Sequence, residues 1–310
     1  MPTPLCLLIA GPTAGGKSEL AMQLARTLPG GGEIICADSM QVWRGMDIGT
    51  AKPTADQQTE IPHHALDLAD PHRDTFTAAT WHGMANDCIE HIQSRGRWPI
   101  VVGGTNLYLR LLMEGMVAHT SLDPLLRQEL NARETGSLRM ELEKVDPATA
   151  ASLHPNDRRR TIRALEIRLI TGTPASETRT QWNATGPRIP DTMKLIGLDW
   201  SVPAINARIH KRIHHMIDSG WQDEVHRLLN QGPLLEQPME ALGYRELVMA
   251  AEGRHSLAQA IELIKVRTRR LAKQQRSWLK KFRVSKNSFW ISADQSPEGS
   301  WAANTLGMVS

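Results

Sequence analysis

The chain has 310 residues, 41% apolar and 22% charged, with a net charge of +3 and a sequence pI of about 8.8. That length can bury a substantial core in one large or two modest domains, and the composition is that of an ordinary soluble globular protein. The charge is too mild to establish a nucleic-acid partner, so its distribution must decide.

The three cysteines, Cys6, Cys36 and Cys88, form no C-x-x-C pair, which argues against a structural zinc or a disulfide framework. Cys6 and Cys36 lie within apolar runs and read as small buried hydrophobes. No apolar run approaches the roughly 20 residues of a membrane span, and no charged leader precedes an apolar segment. A cytoplasmic protein with no membrane partner is expected.

In chain order, Pro4 to Ala10 is a continuous apolar run ending at Gly11, the pattern of a strand buried on both faces. Ser18 to Leu28 follows with helical periodicity, Leu20, Leu24 and Leu28 sharing one face. Further strands are expected at Glu33 to Ala37, His64 to Leu68 and Pro99 to Val102, with a helix over Thr77 to Arg95 between the last two. This alternation predicts an α/β fold: a P-loop NTPase-like parallel sheet with right-handed crossovers, flanked by helices. From Ser121 to about Arg179 the chain is helical and polar, with helix starts at Asp146-Pro147 and His154-Pro155-Asn156-Asp157. The segment 179–190 reads as loop, and Lys194 to Trp200 as one more strand. Residues 121–190 are therefore expected to form a helical insertion in a core built from 1–120 and 191–310. From Val202 onward the chain reads as mostly helical.

Gly11, Pro12, Thr13, Ala14, Gly15, Gly16, Lys17 and Ser18 satisfy G-x-x-x-x-G-K-[ST] between a buried strand and a helix. The glycines permit a tight loop whose N–H groups converge on an anion at a helix N-terminus. Lys17 supplies a mobile positive charge, and the Ser18 hydroxyl can ligate Mg²⁺. The motif points to a polyphosphate ligand without saying which. After the second expected strand comes Asp38, at a strand's carboxyl end where open sheets bind ligands. It suits a metal ligand, a general base or a helix cap.

The P-loop, the run from Asp38 and Ser39 through Gly45-Met46-Asp47-Ile48-Gly49-Thr50-Ala51-Lys52-Pro53, and Val102-Gly103-Gly104-Thr105-Asn106-Leu107-Tyr108 together resemble the tRNA dimethylallyltransferase family. The likeness continues through His154 to Asp157, Ile209 to Val225, Gly243-Tyr244-Arg245 and Lys273 to Lys280. It covers nearly the whole chain, in the bacterial form that lacks a zinc-finger extension. Gly15-Gly16 stands where the family usually has Ser-Gly.

The resemblance implies transfer of a dimethylallyl group from dimethylallyl diphosphate to N6 of the adenine 3′ of the anticodon. It implies Asp38 as general base, Thr105 on the bridging oxygen, and Lys17, the loop amides and Mg²⁺ on the diphosphate. Arg212 matches a family arginine on the same leaving group. The family's tRNA-contacting segments align with Asp38, Ser39, Met40 and Gln41, with Thr105 and Arg127, and with Arg159, Arg160, Thr161, Ile162 and Arg163. They align further with Glu240, Ala241, Leu242, Gly243, Tyr244 and Arg245. The last such segment is Lys273, Gln274, Gln275, Arg276, Ser277, Trp278, Leu279 and Lys280.

The residues themselves carry part of this RNA reading. Lys265 to Lys286 contains ten Lys or Arg and no acid, and Arg269, Lys273, Arg276 and Lys280 share a helical face suited to phosphates. Leu271, Trp278 and Phe282 are expected to anchor its other side. Reaching N6 requires the base to leave its stack. Trp182 and Trp221 can stack bases, although core packing is the commoner use of tryptophan. The paired histidines 63–64 and 214–215 complete no metal pattern. A P-loop kinase acting on a small molecule is the rival reading; neither the Asp38–Pro53 block nor the acid-free basic helix serves it. A monomer is expected.

Overall fold

The computed structural model describes residues 4–116, 123–178, 188–296 and 298–309. Six strands, β1 (Cys6–Ala10), β2 (Gly32–Cys36), β3 (His63–His64), β4 (Trp98–Gly103), β5 (Met193–Asp199) and β6 (Ser288–Ser292), form one sheet in the order β3-β2-β4-β1-β5-β6. Every pairing is parallel. Strands β1 and β2 are buried along their whole length, as their uninterrupted apolar sequences require of a sheet covered on both faces.

Two strands depart from the sequence expectation. The one expected at His64 to Leu68 is only the pair His63–His64, because Ala65 and Asp67 take positive φ values of 63° and 52° that break extended pairing. β6 was not anticipated. It is a half-buried edge strand that becomes visible only through its register with β5.

The sheet unit comprises residues 1–113 and 188–310. Its helices are α1 (Lys17–Thr27), α2 (Ala55–Glu60), α3 (Ala78–Ser94) and α4 (Asn106–Glu114), and, after the helical unit, α10 (Val202–Asp218), α11 (Trp221–Gln231), α12 (Tyr244–Ala251), α13 (Leu257–Leu279) and α14 (Trp301–Val309). Trp43, Trp81, Trp221 and Trp301 are fully buried, so these tryptophans do serve the core. Trp81 stacks on Tyr108 at 4.2 Å and donates its indole N–H to the Cys36 carbonyl. Trp221 packs edge-on against Tyr244 and is not available to a base; Trp182 lies outside the described residues. Cys6 and Cys36 are buried, and burial pushes the Cys6 thiol up to about 12.

The helical unit, residues 114–187, has its own core of Leu130, Leu138, Leu142, Ile162 and Leu165. It holds α5 (Pro124–Ala132), α6 (Thr135–Val145), α7 (Pro147–Ser152), α8 (Arg158–Thr171) and α9 (Ala175–Thr178). The expected helix starts are present: Asp146 accepts from Thr149 N at 3.0 Å and Asp157 from Arg160 N at 3.1 Å. No helix among the described residues is long and apolar enough to cross a membrane.

Candidate active site

Strand order decides what meets at the carboxyl edge of the sheet. β2, β4 and β1 are successive neighbours. The P-loop leaves β1, Asp38 leaves β2 and Thr105 leaves β4, so three segments separated by tens of residues open onto one crevice. The approach of β2 to β4 is unusually close there. A Cβ on Gly103 would overlap the Ala37 carbonyl, so only glycine permits the contact. Ala37 N donates to Val102 O at 2.8 Å and Thr105 N to Ala37 O at 3.2 Å, which seats Asp38 and Thr105 side by side.

The P-loop closes on itself through Gly15 N to Pro12 O at 3.1 Å, and Gly16 caps α1 with φ +84°. Its back is supported by aromatic and cationic groups. Trp200 donates to Gly15 O at 3.1 Å, Arg208 donates to Ala14 O at 2.7 Å, and the Arg208 guanidinium lies 4.7 Å over the Trp200 ring. Trp301, at the start of α14, fills the space where a Gly16 side chain would stand, 2.7 Å from the position of its Cβ. The Gly-Gly pair is thus required by this chain's own packing at the second glycine.

Lys17 donates to Pro12 O at 2.8 Å. Burial and the neighbouring Arg212 lower its ammonium to about 8, with Asp38 opposing the shift. Burial likewise lowers Arg212, and Arg208 adds to the effect while Asp38 opposes it. Arg212 makes no hydrogen bond to the described residues. Two desolvated cations facing one carboxylate, with guanidinium donors uncommitted, make a site that gains stability when an anion enters. We expect Lys17→Met to weaken binding of magnesium diphosphate about a hundredfold, the equivalent of one lost charge-assisted contact of about 3 kcal/mol. Calorimetric titration measures it, and an unchanged affinity would place the anion elsewhere.

Asp38 Oδ1 accepts from Met40 N at 2.9 Å, so the carboxylate caps its own turn and keeps its second oxygen for other use. Thr105 Oγ1 accepts from Ser39 N at 3.0 Å and donates over a long 3.3 Å to Ser39 Oγ. Ser18 is exposed in the first turn of α1. Among the described residues no group of three His, Cys, Asp or Glu side chains is placed to cage a metal. This donor set fits a Mg²⁺ held by one hydroxyl and by the oxygens of a diphosphate. A groove of about 480 Å³ bordered by Arg44, Asp47, Asp70 and Arg227 shares no residue with this cradle.

The residues after Asp38 are fixed from several directions. Gln41 spends its side chain inward, donating to Thr50 O and Ala51 O and accepting from the Cys36 thiol. Lys52 pairs with Asp47 and Asp67. Buried Glu224 accepts from the backbone N–H of Asp47, Ile48 and Gly49 at 2.8, 2.7 and 3.2 Å and from the Tyr244 hydroxyl at 2.6 Å. Gly243 admits the Trp221 ring. Of the 240–245 segment, Glu240 and Arg245 are exposed, whereas Ala241, Gly243 and Tyr244 are buried.

On α13, Lys273, Gln274 and Ser277 are exposed, as is Lys280 just after it; Arg276 and Trp278 are half-buried, while Gln275 and Leu279 point into the core. The buried stripe runs Ala260, Ile264, Ala272, Gln275 and Leu279; Trp278 packs against the core from a half-buried position, as expected, whereas Ala272 rather than the expected Leu271 is buried. Phe282, in the following turn, is buried as expected. In the helical unit Arg159 and Arg160 are exposed and Arg163 is half-buried, while Thr161 and Ile162 belong to its core. Arg127 and Arg163 both pair with buried Glu166.

Sequence reasoning missed Arg208, Trp200, Glu224 and the inward role of Gln275. None of the four left a period or spacing in the chain, because each bonds a partner far along the sequence.

The IPP transferase family model matches residues 41–282. A tRNA dimethylallyltransferase 1 of Trichlorobacter lovleyi is 44% identical over 93% of each chain. A tRNA dimethylallyltransferase of Symbiobacterium thermophilum is 44% identical over 91% of this chain and 88% of its own. Among solved structures, a tRNA isopentenylpyrophosphate transferase from Staphylococcus epidermidis superposes with TM-score 0.70 at 32% identity, covering 99% of this chain and 98% of that one. A eukaryotic dimethylallyltransferase described as acting on tRNA superposes with TM-score 0.82 at 28% identity, covering 98% of this chain and 77% of that one. With a crevice of this make-up and a match across most of its length, the chain belongs to the IPP transferase family.

Proposed function

We propose that this protein transfers a dimethylallyl group from dimethylallyl diphosphate to N6 of the adenine immediately 3′ of the anticodon in tRNA, giving N6-isopentenyladenosine and diphosphate. The observation that carries the reading is the convergence of Asp38 and Thr105, one hydrogen-bonded turn apart, beside a P-loop flanked by Lys17 and Arg212. The curated relatives named tRNA dimethylallyltransferase and the eukaryotic structure acting on tRNA support the same assignment.

N6 is a weak nucleophile because its lone pair is delocalised into the ring. As the N6–C1 bond forms, the C1–O bond breaks and its electron pair stays on the diphosphate. The N6 proton passes to the Asp38 carboxylate, whose second oxygen is not used in capping its turn. Thr105 exchanges its long contact with Ser39 for the bridging oxygen, since a charged oxygen is the stronger acceptor. Lys17, Arg212 and the loop amides hold the leaving group before charge develops on it, so no reorganisation is needed at the moment of reaction. Ser18 would hold a Mg²⁺ through its hydroxyl, and the ion would supply further positive charge to the leaving group. No triphosphate enters this chemistry.

On the sheet unit the tRNA backbone is met by Lys273 and Arg276 of α13 and by Lys280 just after it; on the helical unit, exposed Arg159 and Arg160 suit phosphates in the same way. The enzyme acts as a cytoplasmic monomer. Purified protein with Mg²⁺ and unmodified tRNA should pass label from dimethylallyl diphosphate into the RNA. Phosphate moving instead from γ-labelled ATP to a small acceptor would replace this reading with a kinase.

A further inference from the structure

Gln275 is a polar residue turned into the core from the helix that also carries the exposed Lys273 and Gln274. Its side-chain oxygen accepts from Thr13 N in the P-loop at 2.8 Å, and its side-chain nitrogen donates to Gly104 O, next to Thr105, at 3.0 Å. The two partners fix the orientation of the amide, because one can only donate and the other can only accept. Gly104 is shaped for the contact: a Cβ there would lie 2.5 Å from the Gln275 nitrogen.

We propose that Gln275 is a positioning residue for the prenyl donor, clamping the P-loop to the Thr105 loop so that both grip one diphosphate. The inference rests on the donor reading above. By occupying the Thr13 N–H, Gln275 turns that amide away from the anion and leaves the later amides of the loop to the phosphates. By holding the Gly104 carbonyl, it sets the distance between the loop amides and the Thr105 hydroxyl, and small errors in such distances cost large factors in rate. The same helix thus presents cations to solvent and a clamp to the donor site.

The test uses the full chain with Gln275→Met, Gly104→Ala and the double variant. Gln275→Met removes both hydrogen bonds at nearly constant volume. Gly104→Ala leaves Gln275 in place but displaces its flexible end, so a folding defect peculiar to the first variant does not decide the outcome. Each single change should raise the donor KM and the Kd for inorganic diphosphate with Mg²⁺ about tenfold and lower kcat. KM for tRNA should stay within twofold, and the double variant should be no worse than the weaker single one, because both break one clamp. The proposal is overturned if both singles keep diphosphate Kd and donor KM within twofold, or if tRNA KM rises while diphosphate Kd is unchanged, which would make Gln275 an RNA contact. Wild-type protein that binds no diphosphate would sink the donor reading itself, before either variant is made.

Discussion

Asp38→Asn should lower the single-turnover rate of prenyl transfer by about 10²- to 10⁴-fold, the range a positioned general base supplies. Asparagine keeps an oxygen to accept from Met40 N, so the turn that seats residue 38 is retained. The sign expected for donor binding is the informative part. Asp38 is the negative charge that opposes the lowering of both Lys17 and Arg212. Removing it leaves those cations facing an anion site with less competition. Diphosphate affinity should therefore hold or rise while transfer collapses. If diphosphate affinity falls together with the rate, Asp38 serves to hold the metal and leaving group, and the base must be sought elsewhere.

Glu224→Ala should destabilise the sheet unit by about 4 kcal/mol, seen as a lower urea midpoint with an unchanged slope. The carboxylate is 1% exposed and accepts from three consecutive backbone N–H groups and from the Tyr244 hydroxyl. Truncation leaves four donors without their partner; the groove that Asp47 and Glu224 line lets water reach part of the set, so the loss stays near the low end of about 1–3 kcal/mol for each. For a unit of this size the melting temperature should drop by roughly 10 °C. Glu224→Gln should lose less, since its amide oxygen still accepts from part of the set. Because Glu224 grips Asp47 to Gly49 rather than Asp38, transfer by the folded fraction should survive; a folded Glu224→Ala protein without activity would mean that the 47–49 turn takes part in binding.

Much of the fold was legible because each element carries its own local signal. The burial of β1 and β2 follows from apolar runs that no half-exposed strand would have. The helix starts at Asp146 and Asp157 follow from residues whose side chains bond the first turn whatever the surroundings. The two misjudged strands lacked such signals. His64 to Leu68 has the apolar alternation of a strand, but the turn at Ala65 and Asp67 is imposed by the packing of the loop after β2. β6 sits at an edge and owes its conformation to pairing with β5. The stripe of α13 shows a third case. Basic residues cover so much of the helix that its apolar positions are ambiguous, and only contact with the sheet unit selects Ala272, Gln275 and Leu279 as the inward face.

The sequence alone determined the phosphate cradle, because the loop's spacing of glycines, lysine and serine is itself the geometry that binds an anion at a helix N-terminus. It also determined that a carboxylate and a hydroxyl follow two other strands of the same sheet. What only the tertiary structure decided is that these three strands are neighbours in the order β2, β4, β1, so that Asp38 and Thr105 stand beside the loop. The contacts that brace the loops of this sheet edge were likewise invisible: Gln275 reaches Thr13 across 262 residues, and Glu224 reaches Asp47 across 177. Hydrogen bonds between such distant positions leave no period or spacing in a chain, since their partners are chosen by strand order and burial rather than by neighbouring residues.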